Sequence, residues 1–255
     1  MKKMITGKDN QKLKQVRKLL SPSGIKKSNH FILEGERAVS DAVAAGASLA
    51  YMLVRENYKG TIPSFPYEIV SSSLFDDLCQ TDSPQGIVAV ANKFSYSLSD
   101  LKSGPLLYTD GIRDPGNLGT LIRSADAFGF SGVLLSKDTV SLYNPKVVRS
   151  TMSSLFHLPI IENIEYEELL KLKDTYLLIG GVLNSKSVSL PQATFTSNTI
   201  VVIGNEANGI SEQLISALSM PVFIPMEGRA ESLNAAVAGG ILMYTVSRQL
   251  QAPKE

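Results

Sequence analysis

The sequence predicts two α/β domains, the second of them a doubly wound fold around a mostly parallel sheet. Helical and strand-like segments alternate along the 255 residues, an order that is typical of α/β folds. Most strand-like segments of the second half are unbroken apolar runs, as in parallel sheets that are covered on both faces. A polar, Ser-rich run at 92–104 separates the halves. We therefore expect a first domain at 1–95, a linker at 96–104 and a second domain at 105–255.

The first domain begins with an amphipathic segment. Residues 9–20 space their leucines and a valine at helical intervals, and Asp9 or Asn10 is expected to cap this helix because both types accept N–H groups at helix starts. Short β-type apolar runs then alternate with helical patterns. The expected strands are 30–33, 51–54, 67–70 and 86–91, and the further helices are 35–46 and 71–79.

The second domain alternates more regularly than the first. Glycine, proline and small polar residues punctuate its apolar runs at short intervals. The expected strands are 106–109, 132–135, 158–161, 176–182, 200–203 and 222–224. The expected helices are 117–128, 145–153, 165–173, 211–218 and 232–249.

Composition narrows the class of protein. The chain is 44% apolar and 19% charged, a globular balance without a disorder signature. Cys79 is the one cysteine, so no intrachain disulfide can form, and no Cys/His pairs stand at metal-site spacing. The start lacks the apolar stretch of a signal peptide, and the longest apolar runs are too short to span a bilayer. We expect a cytoplasmic protein with no membrane partner and no metal.

Charge is distributed unevenly along the chain. Residues 1–30 hold nine Lys or Arg and one acid, a net +8, although the whole chain is only +1. A basic end on an otherwise acidic chain favours a polyanionic partner such as nucleic acid. The alternative is a solvated basic helix that binds nothing. The expected RNA-binding residues are Lys12, Lys14, Arg17, Lys18, Lys26, Lys27 and Arg37.

Three loops of the second domain share one pattern, in which glycines and small polar residues follow an apolar strand. They are DGIRDPGNLGTLIR at 110–123, GNEANGIS at 204–211 and VFIPMEGRAESLNAAVAGGIL at 222–242. The carboxyl ends of parallel strands are where α/β proteins bind ligands. A glycine there also lets backbone approach a ligand closely. We therefore expect one site built from the three loops.

Each polar residue of these loops also has a simpler interpretation. Asn117 and Ser232 could be helix caps, Arg123 a surface cation, and Glu206 a loop carboxylate that binds an amide. The chain has neither G-x-G-x-x-G nor G-x-x-x-x-G-K-[ST], which disfavours nucleotide phosphate cradles. Its two histidines, His30 and His157, form no recognisable catalytic arrangement with a serine and an acid.

Taken together, NLGTLIRSADAFG, IVVIGNEANGIS and IPMEGRAESLNAAVAGG resemble the three motifs of the SpoU/TrmH branch of the SPOUT methyltransferases. The resemblance covers nearly all of residues 105–250. It implies transfer of a methyl group from S-adenosylmethionine to a ribose 2′-hydroxyl of RNA. FILEGERAVSDAVAAG at 31–46 is similar to the substrate-binding domain of that family, which resembles ribosomal protein L30e.

The resemblance also implies properties that no pattern in the chain reveals. These are a trefoil knot in the second domain and a homodimer through that domain, including the final helix and the region of Arg149. The implied catalytic residues are Asn117, Arg123, Glu206, Ser232 and Asn234. The implied S-adenosylmethionine-binding residues are Leu183, Gly204, Ile224, Met226 and Leu233.

The role of Arg123 follows from its chemistry once the resemblance assigns it to activation of the hydroxyl. A guanidinium effectively never loses its proton, so Arg123 is expected to stabilise the developing alkoxide or to bind the adjacent phosphate. Glu206 is its expected ion-pair partner. One segment departs from the family: Thr151 and Ser153 stand where Ser and Gly are common.

The resemblance leaves the substrate open. We favour 23S ribosomal RNA, because the L30e-like first domain is commoner among enzymes that act on ribosomal RNA. Transfer RNA is the first alternative. An RNA-binding protein without catalysis and a Rossmann-type oxidoreductase are the others, disfavoured respectively by the intact motifs and by the missing glycine fingerprint.

Overall fold

The computed structural model describes residues 4–78 and 85–251, and they form two compact units. The first unit comprises residues up to Phe94 together with Tyr143–Phe156, and the second comprises Ser95–Leu142 and the residues from His157 onward. The expected linker at 96–104 follows the first of these boundaries and contains one 3-10 turn, Leu98–Asp100.

The first unit contains a five-stranded mixed sheet in the order β1-β4-β3-β5-β2. β1, β4 and β3 are parallel, whereas β5 pairs antiparallel with both β3 and β2. The four strands expected here all occur, and β1 is an addition. Their bounds are β1 Met4–Ile5, β2 His30–Glu34, β3 Leu49–Arg55, β4 Tyr67–Val70 and β5 Ile87–Asn92.

The helices of the first unit bury the apolar positions that the spacing predicted. Leu13, Val16 and Leu19 of the first helix are buried, and Asn10 caps it by accepting the Lys12 N–H at 2.9 Å. The second helix was not predicted. The last residue of the helix expected at 71–79 lies outside the described residues. The bounds are α1 Gln11–Leu19, α2 Pro22–Lys26, α3 Glu36–Ala44 and α4 Ser72–Asp76.

Residues 143–156, which the sequence assigns to the second domain, pack with the first unit. They contain α6, Pro145–Ser150, and a 3-10 turn, Ser154–Phe156. Tyr143 lies against Phe31 with ring centroids 5.0 Å apart, and its hydroxyl accepts the Phe94 backbone N–H at 2.9 Å. This aromatic packing joins the segment to β2 and to the end of the first domain.

The second unit is built on a seven-stranded sheet in which every pairing is parallel. The order is β10-β12-β9-β11-β6-β7-β8, and the central strands are buried, as continuous apolar runs predict. The fold class is confirmed, and the knot stays a prediction. The bounds are β6 Leu106–Asp110, β7 Gly132–Ser136, β8 Ile160–Ile164, β9 Leu177–Gly181, β10 Val188–Ser189, β11 Thr199–Gly204 and β12 Met220–Phe223.

Four helices of the second unit match the predicted ones to within a few residues. α5 begins earlier than expected, at Pro115, and α9 begins later, at Ala235. β8 begins two residues later than expected because Pro159 has no N–H for a ladder. The bounds are α5 Pro115–Ala127, α7 Tyr166–Lys171, α8 Glu212–Ala217 and α9 Ala235–Gln251. Among the residues that the structure describes, no helix is long and apolar enough to cross a membrane.

Candidate active site

The three polar loops follow the carboxyl ends of β6, β11 and β12, which lie in one parallel sheet of the second unit. β11 pairs with β6 so that Gly204 is in register with Asp110, and both strands end there. The side chain of Asp110 accepts the backbone N–H of Ser211 at 2.8 Å, which fastens the second loop to the end of β6. The predicted convergence of the loops is therefore present in the fold.

Glu206 is the centre of a hydrogen-bond network between the first and second loops. Its carboxylate accepts the backbone N–H groups of Arg113 and Asp114 at 3.2 and 3.0 Å. It also accepts the Asn117 side-chain amide at 2.9 Å. Glu206 is thus a loop carboxylate that binds amides, as the simpler interpretation has it. The amides that it binds belong to the first loop.

A chain of amides extends this network to the third loop. The Asn234 amide donates to the Asn117 side-chain oxygen at 3.0 Å, while the Asn234 oxygen accepts the N–H groups of Ala236 and Val237. Asn234 therefore caps α9, and the idea that Ser232 is the cap is wrong. Glu206, Asn117 and Asn234 link all three loops in one row.

Asn117 is available for this row because another residue caps its helix. The Asp114 side chain accepts the Asn117 backbone N–H at 2.8 Å, and Pro115 follows as the first helical residue. The simpler interpretation of Asn117 as the cap of α5 is therefore wrong. Asp-Pro at a helix start is a known cap signature that the sequence already contained.

The carboxylate of Glu206 is stabilised in its charged form. Partial burial raises its pKa, but hydrogen bonds from the Asn117 side chain and from backbone N–H groups outweigh that effect. The pKa of Glu206 consequently lies below its ordinary value. At neutral pH Glu206 is thus an acceptor of hydrogen bonds and not a proton donor.

The second loop is a tight turn that only glycine permits at its start. A Cβ on Gly204 would stand 2.1 Å from the Gly209 carbonyl carbon and 2.1 Å from the Ile210 nitrogen. Asn205 and Gly209 exchange both backbone hydrogen bonds across the turn. The Asn205 amide also donates to the Gly111 carbonyl at 2.7 Å. We did not single out Asn205 from the sequence, although it follows Gly204 directly.

A cavity of about 470 Å³ opens beside this network. Its walls include apolar side chains from β11, β12 and α9, together with the backbone of the second loop. All five predicted S-adenosylmethionine-binding residues line it, as do Glu206 and Ser232. Met226 and Leu183 lie at the solvent side, with 43% and 85% of their surface exposed. Apolar walls with a few polar groups are typical of cofactor sites.

Among the described residues, no hydrogen bond joins Arg123 to the Glu206–Asn117–Asn234 row. Arg123 is six residues beyond Asn117 on α5, about 120° further around the helix, and its side chain is exposed. The ion pairs among the described residues do not include Arg123. The predicted ion pair with Glu206 is therefore wrong within one chain, since that carboxylate already binds Asn117 and two backbone amides.

Some of the predicted RNA-binding residues of the first unit have partners in the fold. Lys12 forms an ion pair with Glu68 and lies over the Tyr51 ring, and Lys14 pairs with Asp9 at 2.9 Å. Arg17 donates to the Lys8 carbonyl at 3.3 Å, and Arg37 approaches Asp41 at 3.7 Å. The exposed lysines of the set are Lys14, Lys18, Lys26 and Lys27.

Comparison with known proteins agrees with this architecture. The profile of the SpoU rRNA Methylase family matches residues 105–244, more than half of the chain. The chain belongs to the SpoU rRNA methylase family. The profile of the MRM3-like substrate binding domain matches residues 10–89. The methyltransferase class that the motifs implied is thus confirmed, and the non-catalytic and oxidoreductase alternatives lose their support.

Relatives of this SpoU-family chain extend over both units. The 23S rRNA (guanosine(2553)-2′-O)-methyltransferase RlmP of Bacillus subtilis is 31% identical over 95% of this chain and 98% of its own. A 23S rRNA (uridine(2479)-2′-O)-methyltransferase of Streptomyces viridochromogenes is 30% identical over 88% of this chain and 84% of its own. The AdoMet-bound rRNA methyltransferase of Sinorhizobium meliloti has a TM-score of 0.87 at 27% identity, covering 98% and 99% of the two chains.

Proposed function

We propose that this protein transfers a methyl group from S-adenosylmethionine to a ribose 2′-hydroxyl of 23S ribosomal RNA. The observation that carries the proposal is the cavity of about 470 Å³ beside the Glu206–Asn117–Asn234 row. It combines an apolar cofactor-sized space with polar groups at one rim. The two relatives named above are ribosomal RNA 2′-O-methyltransferases, and they match this chain through both units.

The cavity suits S-adenosylmethionine by its shape and its chemistry. When bound, this cofactor supplies an electrophilic methyl group on a sulfonium. Ile224, Met226 and Leu233 offer apolar surface for an adenine ring, and the loop after Gly204 borders the same space. Because Gly204 has no side chain, the second loop can fold into its tight turn at the wall of this cavity. The AdoMet-bound structure from Sinorhizobium meliloti supports the same occupant.

We assign positioning roles to the polar row. Glu206 and Asn117 fasten the first loop to the second, and Asn234 fastens the start of α9 to Asn117. Ser232 lies exposed at the cavity, where its hydroxyl can hydrogen-bond the ribose. Transfer of the methyl group from sulfur to the ribose oxygen requires the oxygen, carbon and sulfur atoms to be aligned. Holding the three loops in one geometry therefore contributes directly to the rate.

Arg123 is assigned to activation of the ribose hydroxyl. As a permanent cation it stabilises the developing alkoxide or orients the neighbouring phosphate, and it does not act as a base. Its exposed position, away from Glu206 of its own chain, favours action in the site of a second copy. We therefore propose a homodimer in which each Arg123 completes the partner's site.

The outer face of α9 is the proposed dimer surface. Val237 and Tyr244 are 51% and 53% exposed, and they lie seven residues apart, so they share one side of the helix. The Tyr244 ring meets Phe128 at a centroid distance of 5.6 Å, which extends the apolar surface to the end of α5. A second copy would remove this surface from water.

RNA binding is assigned to the first unit. Lys18, Lys26 and Lys27 are exposed, and Arg37 is only loosely held by its acid neighbour. Such side chains bind phosphates, which gives affinity without sequence selectivity. Lys12 contributes less in this account because its ion pair with Glu68 must be broken first.

A methyl-transfer assay with purified components tests the proposal. The protein is incubated with labelled S-adenosylmethionine and with unmodified 23S ribosomal RNA or transfer RNA, and the RNA is then digested to nucleosides. Label in a 2′-O-methylnucleoside from 23S RNA supports the proposal. Label confined to transfer RNA would replace the substrate, and base-methylated products would contradict the reaction.

A further inference from the structure

A second cavity, of about 230 Å³, lies entirely among residues of the first unit. Strand β2, helix α3 and helix α6 contribute most of its wall. The apolar part is made by aliphatic side chains, namely Leu20, Ile32, Leu78, Val88, Pro145 and Val148. The methyl-transfer site does not use this cavity, so its polar residues need a separate explanation.

The polar lining of this cavity consists of an ion pair between Glu34 and Arg149 together with Arg37, Gln85 and Ser153. Glu34 ends β2 with its side chain only 9% exposed, and the Arg149 guanidinium approaches it to 3.5 Å. The Arg149 side chain is 35% exposed, and a partly buried ion pair of this kind stabilises a fold no better than apolar side chains of similar volume. Charged groups that converge in an apolar cavity are instead typical of binding sites.

One wall of the cavity has an unusual backbone. Met152 and Ser153 have φ angles of +48° and +76°, a left-handed conformation that costs energy for residues with a side chain. Ser153, which stands where the family commonly has glycine, donates from its hydroxyl to Asp41 at 2.6 Å. That hydrogen bond holds the wall against α3. Backbone strain that is retained in this way concentrates at functional sites.

We propose that this cavity binds a guanine base of the RNA substrate, an inference that rests on the proposed function. Guanine presents two adjacent N–H donors on one edge, which a carboxylate such as Glu34 can accept together. It also presents the O6 and N7 acceptors that a guanidinium such as Arg149 binds in pairs. No other RNA base places two donors side by side on its pairing edge. The aliphatic walls cover the ring faces.

The surroundings of the cavity agree with an RNA ligand. Arg37 lines the cavity while 71% of its side chain remains exposed, so it can reach a phosphate next to the bound base. Proteins that recognise RNA by sequence usually bind unpaired bases that are splayed out of the stack. The cavity would thus select the RNA segment, and the methyl-transfer site would act on a ribose of it.

The test fills the cavity without touching its charged pair. Ala38 lines the cavity from α3, so Ala38→Phe occupies the space intended for the base. Ala44→Phe, at the exposed end of the same helix, is the matched control. Binding of guanosine 5′-monophosphate and uridine 5′-monophosphate is measured by ligand-detected NMR. We expect wild type and A44F to prefer the guanine nucleotide by at least about tenfold, and A38F to lose that preference.

The same variants are then assayed with RNA. A38F is expected to raise the KM for RNA by at least about tenfold, with S-adenosylmethionine affinity unchanged. Glu34→Gln, which replaces one acceptor by a donor, should lose guanine preference in the same way. If wild type prefers the guanine nucleotide but A38F has an unchanged KM for RNA, the cavity binds a free nucleotide. That result would overturn the proposal. Equal binding of both nucleotides by wild type would also overturn it.

Failure of the proposed function would give a different result. In that case wild type and A44F would methylate no RNA, while the nucleotide measurements would still decide for or against a guanine site. The two ideas can therefore fail separately.

Discussion

At the scale of single residues, the site contains two kinds of polar side chain. Those of the Glu206–Asn117–Asn234 row are held in place by hydrogen bonds, whereas, in the part of the chain that the structure describes, the Arg123 cation is not. Glu206, Asn117 and Asn234 bind one another or the neighbouring backbone. Arg123 is exposed and lies outside that row. The difference indicates two roles. The row fixes the geometry of the loops, and Arg123 stabilises the negative charge that develops on the alkoxide only during the reaction.

Replacement of Arg123 tests this division. Arg123→Ala should abolish methyl transfer and leave S-adenosylmethionine affinity unchanged, and Arg123→Lys should retain a small fraction of activity because a point charge replaces the planar donor set. Single-turnover methylation and calorimetric titration with the cofactor measure the two effects. Lys171→Ala, at an exposed cation on α7, is the control. Turnover in R123A at the wild-type rate would remove Arg123 from the reaction.

The lowered pKa of Glu206 predicts a pH dependence of stability. The folded-state pKa lies below the ordinary value of 4.5, so the contribution of Glu206 is present above that value. It is lost as the pH falls through the folded-state pKa, because the protonated acid no longer accepts its hydrogen bonds equally well. As the pH is lowered from 6 to 3, the melting temperature of wild type should therefore fall more than that of Glu206→Gln.

The control for that measurement is Glu227→Gln, at an exposed loop glutamate of the same unit. It removes one carboxylate and leaves the hydrogen bonds of Glu206 in place. Parallel melting curves for wild type and E206Q over the whole range would show that the network does not act as described.

At the scale of elements, the sequence predicted which segments form strands and helices much better than it predicted where they begin. The long apolar runs of the second unit became buried parallel strands, because their periodicity reports burial directly. Helix starts depend on which side chain accepts the first free N–H groups. Asp114 takes that role three residues ahead of Asn117, whereas Asn234 takes it two residues after Ser232. Several candidate caps in a row leave that choice undecided in the sequence.

Short elements and packing partners were also beyond the sequence. β1 and β10 have two residues each, too few for any periodic signal. The packing of residues 143–156 with the first unit depends on contacts between distant parts of the chain, such as Tyr143 with Phe31. Local patterns carry no information about such contacts. The predicted catalytic and cofactor-binding residues, by contrast, followed from the resemblance to the family, and all of them but Arg123 lie along the polar row or the cavity.

The turn after β11 gives a prediction at this scale. Gly204→Ala should disrupt the turn, because its Cβ would collide with backbone atoms that cannot move aside. S-adenosylmethionine affinity should fall by at least about tenfold, the size of effect that a displacement of about 1 Å at a site can produce. Gly7→Ala is the matched control, since a Cβ at Gly7 meets nothing within 4 Å. Cofactor binding by G204A at wild-type affinity would contradict the assigned cavity.

At the scale of the whole molecule, the proposed dimer makes each site depend on two chains. Mixing of R123A with G204A, at an S-adenosylmethionine concentration too low for G204A to bind, tests this dependence. In a random mixture of R123A and G204A, half of the molecules are mixed dimers, each with one site that has both an intact cavity and an intact partner arginine. Activity should recover to about a quarter of the wild-type value. If each chain used its own Arg123, the mixture would stay inactive.

The salt dependence of RNA binding is also a property of the whole molecule, because it reports the net positive charge that contacts the RNA phosphates. The +8 balance of residues 1–30 already counts Asp9, the partner of Lys14, and it is reduced further at the surface because Lys12 pairs with Glu68. The first unit therefore presents a smaller basic surface than the composition suggests.

The central claim is that this protein methylates a ribose of 23S ribosomal RNA. The most direct measurement is a map of 2′-O-methyl groups in ribosomal RNA from cells with and without the gene, by primer extension and mass spectrometry. The account predicts that one 23S position loses its methyl group without the gene and regains it with wild type but not with R123A. An unchanged map of ribosomal RNA would contradict it.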